Sequence, residues 1–153
     1  MLRVLLSIAF IATITTARAQ AVNDVELKAA YCLGNVTARV AMLRGQAEAE
    51  NDQFIKGGDL YAASRQQEES MRFRDYLAAK NLLGNESTKL AEDHGRADQK
   101  LCVEELKNPF YSNCIDKCSR LSDTQQSLAC DNACPHPSSC ERGYECSKNF
   151  LPF

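Results

Sequence analysis

Apolar side chains recur every three or four positions from Val22 onward, through Val25, Ala29, Cys32, Val36, Val40, Leu43 and Ala47. This interval lines one face of an α-helix, so the pattern predicts a first long helix over residues 22–55. The stretch IKGGDLY interrupts it. Gly57 and Gly58 can take the left-handed backbone that ends a helix, and Asp59 can cap the next one. A second helix is then expected over 59–83. Its stripe of Leu60, Ser64, Gln67, Met71 and Arg74 is polar, and Phe73, Tyr76 and Leu77 carry apolar contact near its end. Gly84, Asn85 and Ser87 mark the next break. Helical spacing resumes from residue 87 with Leu90, His94, Ala97 and Leu101, flanked by Cys102 and Leu106, until KNPF stops it. Short connections make neighbouring helices antiparallel, so the expected fold is all-α, with a three-helix up-down-up bundle over residues 20–108.

From there the pattern changes. All four prolines lie after residue 108, and seven of the eight cysteines lie after residue 101. Residues 109–153 are expected to form a disulfide-stapled short helical hairpin and an irregular Cys-containing tail, packed with the bundle as one unit. In NCIDKCSRLSDTQQSLACDNAC, Cys114 and Cys118 share one helix face, and Cys130 and Cys134 share another. Ser122 or Asp123 caps the second helix. Folding the two helices antiparallel sets Cys114 opposite Cys134 and Cys118 opposite Cys130, a double clamp for a hairpin too small to stand by packing.

These residues resemble the twin CX3C helical hairpin of the small mitochondrial intermembrane-space chaperones, which is also found in some secreted plant defence peptides. The resemblance covers residues 114–134 alone. It implies the same pairing pattern and says nothing about a client. Two other readings of the four cysteines are a thiolate site for zinc or Cu(I) and a thiol redox centre. An oxidising compartment opposes the first, and the two-residue spacing usual for redox motifs is missing for the second.

The amino terminus indicates that compartment. MLRVLLSIAFIATITTARAQ has one early charge, an apolar run from Val4 to Ala17, and the small-residue pattern Ala17-Arg18-Ala19. This is the layout of a signal peptide over residues 1–19, with the mature chain starting near Gln20. As a helix the run would be ~21 Å long, short of a ~30 Å hydrocarbon core. No cysteine follows it closely enough for a lipoprotein anchor, and no later run could span a bilayer. The expected location is exported, periplasmic or secreted, and the ARAQ ending favours a bacterial periplasm.

Removing residues 1–19 takes away Arg3 and Arg18 and no acid, so the formal net charge of -2 becomes about -4. An acidic chain of this kind is not expected to bind nucleic acid or an anionic membrane. Catalytic groups are sparse. His94 has Asp98 one turn later, a spacing more suited to a hydrogen-bonded pair than to a metal, and His136 lies between two prolines in a loop. The acid pairs Glu68 and Glu69, Glu92 and Asp93, and Glu104 and Glu105 splay ~100° apart on a helix and read as solvated faces. No nucleophile elbow, phosphate loop or zinc-protease motif is present, so no enzyme activity, cofactor or metal is expected. The glycosylation patterns at Asn35 and Asn85 matter only in a eukaryotic secretory pathway, and Val36 places the first within the apolar stripe.

Cys32, Cys102, Cys140 and Cys146 remain to be paired among themselves. On regular helices Cys32 and Cys102 sit ~20 Å apart in height, beyond the ~7 Å Cα separation that a disulfide allows. The tail is long enough to reach both, which predicts a strap joining the bundle to residues 140 and 146. The functional expectation is a non-enzymatic binding protein whose partner is another protein or an envelope component, with Cys-based metal or redox chemistry as the alternative.

Overall fold

A computed structural model describes residues 21–135 and 137–147. The expected signal peptide, the start at Gln20 and His136 lie outside the described residues. The described chain is all-helical. It contains α1 (Asp24–Ala49), α2 (Gln53–Ala79), α3 (Glu86–Leu106), α4 (Pro109–Ser119), α5 (Thr124–Ala133) and α6 (Ser138–Tyr144), then a 3-10 turn over Glu145–Ser147. No helix among the described residues is long and apolar enough to cross a membrane.

Side-chain caps set the starts of α1 to α5. Asn23 and Glu26 form a reciprocal capping box on α1, with Glu26 N donating to Asn23 Oδ1 at 3.0 Å and Asn23 N donating to Glu26 Oε2 at 2.9 Å. The other carboxylate oxygen of Glu26 meets Lys80 Nζ at 3.5 Å, which ties the end of α2 to the beginning of α1. The reversal expected at Gly57–Gly58 does not occur. α2 runs unbroken through both glycines, α1 ends at Ala49, and the turn is made by Glu50–Asp52. Asp52 rather than Asp59 is the cap, accepting from Phe54 N at 2.8 Å and Ile55 N at 3.2 Å. The two glycines together cost ~2 kcal/mol inside a helix, which the Asp52 cap and the packing of α2 on α1 offset between them. The next two boundaries fall where the sequence places them. Gly84 has a positive φ of 78° and Asn85 caps α3. Asn108 caps α4, with Pro109 in its first turn.

α1 is the shared partner of the long helices. From Ala29 to Val36 every residue except the half-buried Tyr31 is buried, so α1 is enclosed around its circumference over two turns. α2 and α3 both pack on it and scarcely meet each other, while α6 and the 3-10 turn also rest on it. The apolar core gathers Ala29, Leu33 and Val36 of α1 with Phe73, Leu77 and Leu82.

α3 is rotated from the face that apolar spacing suggests, whereas α2 makes its expected apolar contacts through Phe73 and Leu77. On α2 the buried positions are Ala63, Ser70, Phe73 and Leu77, whereas Leu60, Ser64, Met71 and Arg74 are exposed. On α3 the buried positions are Thr88, Gly95, Gln99 and Cys102, whereas Leu90, His94, Ala97 and Leu101 face solvent. The reason on α3 is a backbone-to-backbone crossing. A Cβ added at Gly34 would collide with the Glu92 carbonyl, and one added at Gly95 would collide with the carbonyl of Tyr31. Small residues are required there, and hydrophobicity does not detect that requirement.

All eight cysteines are paired. Cys114 joins Cys134 and Cys118 joins Cys130, closing α4 on α5, whose packing is almost entirely with each other. Cys32 joins Cys146 and Cys102 joins Cys140, so the tail straps α1 and α3. Arg39 of α1 meets Gln99 of α3, and Cys102, one turn beyond Gln99, shares a cavity wall with Met42, ten residues and ~15 Å along α1 from Cys32, out of reach of a direct bridge.

Gly34→Ala or Gly95→Ala is expected to cost about 3 kcal/mol or more, because backbone cannot yield as a side-chain tip can. Gly57→Ala with Gly58→Ala is expected to stabilise by roughly 0.5–1 kcal/mol per site, since neither new Cβ meets an atom within 4 Å. Urea unfolding of the two sets measures this contrast. Similar losses in both would contradict the packing described.

Candidate binding groove

The sequence-nominated residues separate into structural and unengaged groups. The sulfurs of Cys114, Cys118 and Cys134 lie within 4.8 Å of one another, and Cys118 Sγ is 3.9 Å from Cys134 Sγ. Each belongs to a disulfide, so none is a thiolate, the form in which cysteine binds zinc or copper or attacks a disulfide. His94 is exposed, and Asp98 makes its hydrogen bonds elsewhere. The Asp98 carboxylate accepts from Tyr31 Oη at 2.8 Å and from Arg142 Nε at 2.8 Å and Nη2 at 3.1 Å. This triad pins α6 across α3 and α1. The hydrogen bond from Arg142 holds Asp98 below the usual carboxylate range, while burial, helped by Asp98, pushes the Tyr31 phenol up to about 12.

Several of the paired acids have local partners. Arg96 takes both Glu92 and Asp93, and Ser139 Oγ donates to Glu105. Burial raises Glu69, which lies on the α2 side of Arg39. Asn35 is fully buried, so its glycosylation pattern is inaccessible in the folded chain, and Asn85 is occupied as a helix cap.

A groove that the sequence reading did not nominate lies where α1, α3, α4 and α6 meet. Its cavity of about 230 Å³ is lined by Arg39 and Met42 of α1, Gln99, Cys102, Val103 and Leu106 of α3, Tyr111 of α4, and Cys140 and Tyr144 of α6. A second hollow of about 310 Å³ continues along the α1/α3 seam, sharing Met42, Gln99 and Val103 and adding Lys100, Glu104 and Lys107. The Cys102–Cys140 bridge forms part of the wall, and Tyr144 lies one helical turn beyond Cys140. Gly143 lets α6 close over the site, since a Cβ there would sit 3.1 Å from both Arg39 Nη2 and the Asn35 amide.

Compared with protein-family models, curated proteins and solved structures, the chain matches none. The groove is therefore read from its own chemistry. Arg39 is half-buried, and among the described residues its guanidinium donates only to Gln99 Oε1, at 3.3 and 3.4 Å, with no carboxylate within salt-bridge distance. Burial lowers its pKa, opposed by the field of Glu69 and Tyr144. The sequence did hold one clue. Arg39 follows Val36 by three residues and precedes Val40 by one, so it interrupts the edge of an apolar stripe.

Asp98→Asn is expected to cost about 1 kcal/mol, a modest value because Arg142 is more than half exposed and solvent screens the pair. The folded-state pKa of Asp98 is depressed, so its contribution is complete above the unfolded carboxylate value of ~3.9 and is lost as pH falls through the lower folded value. Melting temperatures between neutral and strongly acid pH should fall more steeply for the parent than for D98N. Parallel curves would dissociate Asp98 from acid stability.

Proposed function

We propose that this chain is an exported, non-enzymatic binding protein in which residues 20–108 form an up-down-up helical bundle. Residues 109–153 supply a hairpin that packs chiefly on itself and a strap that ties the tail to the bundle, and the α1/α3/α6 groove receives an envelope component or part of another protein. One observation carries the reading. The groove is a preformed concavity in which apolar and aromatic side chains surround a single half-buried cation, and a disulfide holds its wall in place. The absence of any free thiol agrees with an oxidising compartment.

Two measurements test the proposal. The protein purified from its native compartment should contain no free thiol and no zinc or copper. Four thiols with stoichiometric metal would instead establish the Cys-based alternative. A neutral polarity-sensitive dye should bind at one site, which Val103→Glu abolishes and Leu90→Glu, on the outer face of α3, leaves intact. Dye binding indifferent to Val103→Glu would remove the groove as the site.

A further inference from the structure

The groove has chemistry specific enough to define a ligand class. Arg39 presents a planar fork of donors, and only part of that fork is used, through two long bonds to Gln99. The acids and bases facing it are few. Glu69 approaches from α2 beyond 4 Å and is itself opposed by Arg72. Asp98 is committed to Arg142 and Tyr31, and Glu105 to Ser139. Along the seam Lys100 and Lys107 outnumber Glu104. Desolvating a cation without a close counter-charge is unfavourable, and an anion placed on the fork would reverse that penalty. One guanidinium matches one negative charge and two acceptor oxygens, which favours a carboxylate over a phosphate dianion. The remaining walls, Met42, Val103, Leu106, Tyr111 and Tyr144, suit hydrocarbon or an aromatic ring, and about 230 Å³ holds a short chain or a single ring.

We propose that the groove binds a small amphipathic carboxylate, with its carboxylate on the Arg39 guanidinium and its apolar body against Met42, Val103 and Leu106. This inference rests on the groove being the binding site proposed above. Octanoate and octanol, titrated separately into the full disulfide-bonded chain and followed by NMR, serve as charged and neutral probes of equal length. Octanoate should bind at least about tenfold more tightly and shift the Arg39 Nε signal, reflecting a charge-assisted bond. Arg39→Gln should reduce octanoate to the octanol level without changing octanol binding.

Equal affinities of the parent protein for the two probes would overturn the carboxylate assignment while leaving the groove as an apolar site. Binding of neither probe would overturn both readings. If R39Q does not fold, Arg39→Lys provides the second variant. A point charge that cannot form the fork should retain only part of the octanoate preference, and full retention would contradict the bidentate contact.

Discussion

The crossing of α1 and α3 at Gly34 and Gly95, where backbone lies against backbone, is the constraint on which the other features depend. Two backbones in contact leave no freedom to slide or rotate, so the crossing sets the register between the helices. That register carries Asn35 to the Gly95 carbonyl and Arg39 to Gln99, and it places Cys102 in one cavity wall with Met42. The same contact determines which face of α3 is buried. Thr88, Gln99 and Cys102 turn inward with Gly95, and Leu90 and Leu101 are left outside.

The tail completes the arrangement. α6 lies on α3 and α1, held by Cys102–Cys140 at one end, Cys32–Cys146 at the other, and the Asp98–Arg142 pair between them. A surface ion pair would ordinarily contribute little, but here Asp98 also accepts from the buried-edge phenol of Tyr31, and Lys28 meets Glu145 at 3.0 Å nearby. The groove is a product of this closure. Two of its nine lining residues, Cys140 and Tyr144, come from α6, and without them Arg39 would face open solvent.

The parts legible in the sequence were those governed by local chemistry or by chain length. Caps and stops at Asn85, Asn108 and Pro109 follow from which residues can satisfy orphan amides. The strap follows from the rise of a helix and the reach of a disulfide. What periodicity misread were features decided by tertiary contact. Gly57 and Gly58 look like a break and lie within α2, because Asp52 starts that helix five residues earlier. Leu90 and Leu101 look like core and are exposed, because a close crossing selects for small size. The groove was not visible at all, since its lining is assembled from four helices that only the disulfides and the glycine crossing bring together.

The connectivity of the bridges has a consequence for assembly. Numbered along the chain, the cysteines pair first with eighth, second with seventh, third with sixth and fourth with fifth, and no bridge crosses another. The separations rise from 12 to 20, 38 and 114 residues, so each bond encloses the ones before it. The entropy of closing a loop grows with the length still free, and every inner bond shortens what the next must bring together. The molecule can therefore be zipped from the centre outward, with Cys118–Cys130 closing first and the terminal strap last. Each step makes the following one easier, and no segment has to be threaded through a ring already closed.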